Sequence, residues 1–346
     1  MFKKIIISIF LILLLCGGYV TYILYQKVYQ PNVTLANASD KYFYIYSTYD
    51  FNDVANDLYE QGFIINRESF VWLADKKANF KNNIHPGKYL LKEGMSNNEL
   101  IDLLRSGKQV PVKVTFNNVR TTNELIGKFS RNLECDSLEL YDLLNDAAFV
   151  ASYGFNRITI LTLFLPNTYE FNWNTSAEEV IVRMATEYKK FWTDERKAKA
   201  QKLNLSQSEV AILASIVQAE QTVHNDERPK VAGLYINRLK KGMLLQSDPT
   251  VIYGVGDFSI RRVLNKHLEM DTPYNTYMHT GLPPGPINLP SIKSIDAVLN
   301  FEQHDYIYMC AKEDFSGYHN FAKTYDQHLI YARKFQKELN KRRIYN

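Results

Sequence analysis

The sequence predicts an α+β fold behind a membrane helix, on three observations. A charge-free apolar run from Ile5 to Tyr25 opens the chain. Short aromatic and β-branched runs followed by helical spacing recur in the first third, and a mixed region rich in capped helices comes after them. With 346 residues, 46% hydrophobic and 23% charged, the chain buries a real core, which excludes wholesale disorder and low-complexity architecture. Its 41 basic and 37 acidic residues leave a net charge of +4, so composition points to no nucleic-acid partner. Cys16, Cys135 and Cys310 are widely separated, without a CxxC pair or Cys/His cluster. No disulfide framework, metal or cofactor is expected.

The Ile5 to Tyr25 run has about the 20 residues a helix needs to cross a hydrocarbon core. Leu13-Leu14-Leu15-Cys16 places bulky leucines where cleavage of a leader needs small residues, so the span is expected to be retained as an anchor. Lys3 and Lys4 precede it and only Lys27 follows closely. The positive-inside bias therefore leaves residues 1–4 in the cytoplasm and carries the chain from about residue 30 outward across the inner, cytoplasmic membrane. Residues 26–40 read as a tether, since Gln30 to Asp40 lack strong periodicity.

The globular part starts near Lys41. Tyr42 to Tyr46 is strand-like; Phe51, Val54, Ala55, Leu58 and Tyr59 follow at helical spacing, and Gly62 begins a turn. A helical stretch near Glu68 to Ala74, a turn at His85-Pro86-Gly87, a strand over Lys88 to Leu91 and a helix from Asn97 to Ser106 complete residues 41–110. Ser96 or Asn97 caps the last helix, Glu99 lies in its first turn and Gly107 follows its end. Val112 to Phe116 with Thr121 to Phe129 is a weaker echo of the same unit. Small strand-helix units of this kind resemble LysM-like modules, which bind N-acetylated glycans; a packing or spacer role is the competing reading.

From about 136 to 200 the pattern is helical and irregular, and Lys189 to Lys199 mark an exposed charged helix. Ser206-Gln207-Ser208-Glu209 is a capping box directly before the apolar run Val210 to Val217. On that helix Leu213, Ile216, Val217 and Glu220 fall at i, i+3, i+4 and i+7, which puts the Glu220 carboxylate in line with the apolar face near the C-terminal end. Desolvation and the negative end of the helix dipole both disfavour its charged form, so its pKa is expected to rise toward that of a usable general acid. Pattern alone also admits a boundary glutamate that reaches solvent.

A second helix has Asn225-Asp226-Glu227 as cap and acidic first turn, a buried stripe from Val231 to Leu239, and Lys240-Lys241-Gly242 at its end. Gln246, Ser247 and Asp248 then form a polar set in a loop before Pro249, suited to orienting a polar ligand, with a turn or helix cap as the alternative for Asp248. Tyr274, Asn275 and Tyr277 offer stacking faces and an amide in a stiff loop that ends in Gly281-Leu282-Pro283-Pro284-Gly285-Pro286-Ile287. Structural packing is the other reading of each tyrosine. Asp305 to Ala311 reads as a buried strand, Gly317 to Phe321 as a turn and short strand, and a charged helix runs from Tyr325 to the end. His319 alone is more naturally a structural histidine.

Together these segments resemble the endolytic murein transglycosylases, the MltG or YceG-like family, densely over about 110 to 340 and more loosely before that. The residues that carry the resemblance are Leu213 to Glu220, Val231 to Leu239, Gly242 to Thr250, Tyr274 to Tyr277 and Gly281 to Ile287. Glu220 stands where the family has its catalytic glutamate. Some members have a second Glu two residues earlier, where this chain has Gln218, and the family's Asn-Pro-Gly after the proline-rich loop is here Leu289-Pro290-Ser291.

The resemblance implies a catalytic domain over residues 111–346 that cleaves the MurNAc-GlcNAc β-1,4 bond within nascent glycan strands, without water, to leave 1,6-anhydroMurNAc ends and stop strand elongation. It implies Glu220 as acid and then base, Gln246, Ser247, Asp248, Tyr274, Asn275 and Tyr277 as substrate-binding residues with His319 as a weaker one, and peptidoglycan strands as partner. With the membrane topology it also puts glycan polymerases of wall synthesis within reach. Two rivals stand beside it. A hydrolytic muramidase needs a second carboxylate, Asp248 or Asp271, and a non-catalytic wall-binding scaffold needs none.

Overall fold

The computed structural model describes residues 2–36, 38, 41–77 and 80–342. Met1, parts of the expected tether at 37, 39 and 40, and the end of the expected C-terminal helix at 343–346 lie outside the described residues. The fold is mixed α and β, in two units. The first comprises Met1–Val114, Arg131–Cys135 and Glu170–Ser176; the second Thr115–Ser130, Asp136–Tyr169 and Ala177–Asn346. The chain therefore does not divide once near residue 110. Two later segments rejoin the first unit, where the Trp173 ring packs 5.0 Å from those of Tyr44 and Tyr46.

The first unit begins with α1 (Phe2–Tyr29), none of whose side chains is buried and which is long and apolar enough to cross a membrane. Its last turn is fixed: the Asn97 amide donates to the Lys27 carbonyl at 2.9 Å, and the Lys27 ammonium sits 5.2 Å over the Trp72 ring. Asn32 donates to Asn97 Oδ1 at 2.7 Å and accepts from the Asn66 amide at 2.7 Å, with Val33 buried beside it. Residues 31–35 of the segment expected as a tether are thus seated on the unit, with Asn32 Nδ2 also donating to the Asn66 carbonyl and the Thr34 amide to the Phe63 carbonyl.

Next come β1 (Tyr42–Ile45), α2 (Phe51–Glu60), α3 (Arg67–Lys76), β2 (Gly87–Leu90) and α4 (Asn97–Ser106). β1 and β2 pair antiparallel, Tyr42 opposite Leu90 and Ile45 opposite Gly87. Capping boxes of Asp50 with Asp53 and of Ser96 with Glu99 start α2 and α4, and Gly107, at φ 63°, ends α4 in the left-handed conformation glycine tolerates. Phe43, Phe51, Phe63, Phe70 and Phe80 meet in the core between the strands and helices. The weaker echo is β3 (Val112–Phe116) and α5 (Thr122–Ser130); α6 (Ser137–Asn145), α7 (Ala147–Ser152), a 3-10 turn at Thr159–Leu163 and β4 (Asn167–Phe171) follow, and β4 pairs with β3.

The second unit is mainly helical. It contains α8 (Ala177–Phe191), α9 (Asp194–Lys202), α10 (Gln207–Glu220), α11 (Arg228–Lys240), α12 (Asp248–Val255), α13 (Asn265–Leu268) and α14 (Ile292–Leu299), then β5 (Tyr308–Ala311), β6 (His319–Ala322) and α15 (Tyr325–Lys341). α10 is its axis. Every residue from Val210 to Val217 is buried, so the helix is enclosed nearly all round by α9, α11, α12 and α14 instead of showing one apolar face. The charged run expected as one exposed helix is split between α8 and α9, and Arg196 is not merely solvated: it pairs with Asp296 at 3.0 Å, tying α9 to α14.

β5 and β6 pair antiparallel, Tyr308 opposite Ala322 and Ala311 opposite His319. The strand expected as buried from Asp305 is shorter and only half-buried. Asn237 of α11 donates to the carbonyls of His304 and Tyr306, and Arg238 to that of Ile307, so side chains satisfy the backbone a strand neighbour would have served. Replacing the fully buried Leu213 by alanine is expected to destabilise the protein by about 2–5 kcal/mol, read as a lower urea midpoint for the full chain in detergent.

Candidate active site

Glu220 is the last residue of α10. The helix starts on its expected capping box: Ser206 Oγ accepts from the Glu209 amide, and the Glu209 carboxylate accepts from the Ser206 amide at 2.7 Å. The buried body of the helix carries its C-terminal end inward, and Glu220 arrives partly enclosed, one side open. Two buried hydroxyls, Ser247 at 2.5 Å and Tyr235 of α11 at 2.8 Å, donate to its Oε1. Burial pushes the carboxyl above the ordinary carboxylate range; the bonds from Ser247 and Tyr235 pull the other way, Asp248 adds to the rise and His319 opposes it, and burial wins. Because both hydroxyls serve Oε1, the acid form carries its proton on Oε2.

Ser247 is placed by a braced loop. Arg238, buried, donates to the carbonyls of Leu244 and Leu245 and to Gln246 Oε1, all at 3.0–3.1 Å. The Gln246 amide donates to the Thr276 carbonyl and the Ser247 amide to Thr276 Oγ1, each at 3.0 Å. Gln246 holds φ 54°, a left-handed backbone that turns the chain so Ser247 faces inward. Ser247 is the N-cap residue of α12 yet makes no side-chain cap bond, since its hydroxyl goes to Glu220. Asp248 begins that helix, which settles it as more than a loop residue; it is exposed and accepts from Tyr277 Oη at 2.5 Å. Burial and Asp248 together raise the Tyr277 pKa, so this phenol stays a donor.

On another side stands His319 at the start of β6. Its Nδ1 lies 2.7 Å from Glu227 Oε2, its backbone amide donates to Glu227 Oε1 at 2.9 Å, and Gln221 Nε2 donates to Glu227 Oε2 and to the Gly317 carbonyl. Glu227 is 7% exposed; burial raises its pKa, but these donors outweigh burial and hold it below the ordinary range. It is therefore an acceptor, and His319 Nδ1 carries the hydrogen between them. Glu227, expected as part of the acidic cap of α11, makes no side-chain cap bond there because its carboxylate is committed to His319 and Gln221.

Other expected residues fall elsewhere. Asn275 is 1% exposed and its amide donates to the Leu268 and Met270 carbonyls at 2.9 Å, so it shapes its loop instead of facing a ligand. Tyr274 packs its ring 4.6 Å from that of Tyr253, and Gln246 is exposed with its Oε1 held by Arg238. Asp271 pairs with His279 at 2.7 Å on the surface, whereas Asp248 is close enough to act on Glu220. Gln218 accepts from the Ser291 amide and Ser294 Oγ at 2.8 Å, so the Leu289-Pro290-Ser291 segment is pinned to α10. Among the described residues no three His, Cys, Asp or Glu side chains converge as a metal site would require. Tyr235 and Glu227 are the site residues that sequence reasoning missed. A tyrosine inside an otherwise apolar buried run was the available signal, since a buried phenol needs a partner.

A pocket of about 670 Å3 opens beside the end of α10, bordered by Gln218, Ala219 and Thr222 on one side and by Pro249 and Tyr253 on another. Residues 43–334 match the model of the YceG-like family. The chain belongs to that family. A Bacillus subtilis protein named endolytic murein transglycosylase is 31% identical over 271 residues, covering 74% of each chain. Streptococcus pneumoniae D39 has a protein of the same name, 27% identical over 89% of this chain and 61% of its own length. A crystal structure of a YceG-like protein from Listeria monocytogenes aligns with TM-score 0.56 at 27% identity, covering 84% of this chain and 99% of that one.

The raised pKa of Glu220 has a sign for stability. Its folded value lies above the unfolded one, about 4.3, so the carboxyl favours folding fully below that pH and the benefit is lost as pH rises through the folded value. Glu220→Gln is therefore expected to melt at or above the wild type at pH 7, with the gap closing toward pH 4, in thermal melts followed by circular dichroism.

Proposed function

We propose that this protein is a membrane-anchored endolytic murein transglycosylase, with Glu220 as its one acid and base. The observation that carries the proposal is the Glu220 carboxyl at the buried end of α10, lifted in pKa and held through Oε1 by Ser247 and Tyr235, in a chain whose relatives bear that name. The span α1 is the anchor, with the N-terminus cytoplasmic and the chain from about residue 30 outside the membrane. The β-α-α-β arrangement of the first unit is read as a LysM-like module against the strand.

Glu220 enters the reaction protonated at Oε2 and gives that proton to the glycosidic oxygen between MurNAc and GlcNAc. The C1–O bond breaks as positive charge builds on the muramoyl ring, near the Asp248 carboxylate. Glu220, now a carboxylate steadied by two hydroxyl donors, removes the proton of the C6 hydroxyl, which attacks C1 and closes the 1,6-anhydro ring. The proton count balances within one residue and no water is consumed. A hydrolase instead needs a second carboxylate to activate water or attack the sugar. Asp248 is near Glu220 but its Oδ1 is taken by Tyr277, which favours an electrostatic over a nucleophilic role. Nascent strands beside the membrane are the proposed substrate, cut to end elongation, with glycan polymerases as neighbours.

Digestion of uncrosslinked glycan strands by the full chain in detergent, read by mass spectrometry, is expected to give ends lighter by one water, and Glu220→Gln to give none. Reducing MurNAc ends would make the protein a hydrolase, and absence of cleavage would leave a binding protein. Removing the Ser247 hydroxyl takes away a bond that favours the Glu220 carboxylate. Ser247→Ala is accordingly expected to move the alkaline limb of the pH–rate profile upward, since the starting acid form persists to higher pH, while lowering kcat by about tenfold or more.

A further inference from the structure

We infer that the pocket beside the Glu220 end of α10 is a subsite for an anionic group, the acidic peptide that substitutes the muramoyl sugars, so that strands bearing stem peptides are preferred; this rests on the murein reading above. The pocket of about 670 Å3 is bordered by Ala219 and Thr222, the residues on either side of Glu220 and its neighbour Gln221, so a substituent of a sugar bound at Glu220 has it within reach. Arg120, Arg228 and Lys293 line it, and none of the residues lining it is acidic. Over the chain as a whole 41 basic and 37 acidic residues nearly balance, so cations without a single carboxylate among them make a local positive potential.

Arg228 is buried and fixed, its Nε donating to the Gln221 carbonyl at 2.9 Å and its Nη1 to Ser294 Oγ at 3.0 Å; burial pulls its pKa down, as expected of a cation held without a counter-ion. Arg120 stacks its guanidinium 4.8 Å over the Phe258 ring, a contact through its face that leaves the N–H edge to a ligand. Lys293 is exposed at the rim. Among the described residues no ion pair engages any of these three. A neutral sugar needs hydroxyl and amide partners, not converging cations; a peptide with free carboxylates matches both the charge and the asparagines Asn117, Asn225 and Asn288 in the same wall.

The test compares initial rates of the full chain in detergent on uncrosslinked strands with native stems and on the same strands with stem carboxylates blocked as methylamides. The wild type is expected to show a KM about tenfold higher on blocked strands at similar kcat. The Arg120→Gln, Lys293→Gln double variant is expected to raise KM about tenfold on native strands and to change nothing further on blocked ones, and Arg120→Lys with Lys293→Arg to restore most of the loss. Melting temperatures check that the variants are folded. Equal KM values on both strands, or a variant that impairs both alike, would overturn the subsite and leave the transglycosylase reading intact. A wild type that cuts neither would instead sink that reading, and the subsite with it.

Discussion

The second unit is organised around one unfavourable placement, a carboxyl group carried to the enclosed end of a helix that is itself buried nearly all round. Leaving water raises the pKa of Glu220 and so keeps a proton available where an ordinary surface glutamate would have lost it. Ser247 and Tyr235 offset part of that cost by donating to Oε1, which also fixes the orientation of the group. The two effects have separate uses. In the proposed mechanism burial supplies the acid form, and the hydroxyls steady the carboxylate it becomes.

The rest of the second unit holds this arrangement in place. Arg238 draws the Leu244 and Leu245 carbonyls, the Gln246 side-chain Oε1 and the Ile307 carbonyl to α11, which sets Ser247 under Glu220 and sets the start of β5. Gln221, the residue after Glu220, clamps Glu227 and the Gly317 carbonyl, and Glu227 in turn orients His319. His224 stacks 3.7 Å from the Tyr318 ring and bonds the Ser316 carbonyl, so the hairpin tip is fastened to the loop that follows Glu220. Each brace starts within a few residues of Glu220 or on α11. In the first unit the Asn32, Asn66 and Asn97 amides play the corresponding part, fastening the chain that leaves the apolar helix α1 to the strands and helices that follow.

What the sequence disclosed was local. α4 and α10 were legible because Ser96 and Ser206 write their caps into four consecutive positions and Gly107 writes an end, and α2 because Phe51, Val54, Ala55 and Leu58 fall at helical spacing. Glu220 was legible as a candidate from helical spacing, and its family place came from motifs. The partners of Glu220 were harder. Ser247 stood out as a polar residue in a constrained loop, but Tyr235 was hidden in an apolar stripe and Glu227 behind a capping role it does not play. Asn275 looked like a sugar contact because amides often are, yet its burial and two carbonyl partners commit it to the loop. The shortened strand at β5 and the return of residues 131–135 and 170–176 to the first unit depend on Asn237, Arg238 and Trp173, contacts between segments far apart in the chain. No local pattern encodes such pairings.

The central claim is that the fold itself lifts the Glu220 pKa, and direct titration of that group tests it. With carbon-13 in the glutamate side chains of the full chain in detergent, the Glu220 carboxyl resonance is assigned by its loss in Glu220→Gln and followed against pH. A midpoint clearly above the ordinary glutamate value, about 4.3, is the expected result. A midpoint at or below that value would mean that the hydroxyl donors outweigh burial, and Glu220 would then reach neutral pH with no proton to give.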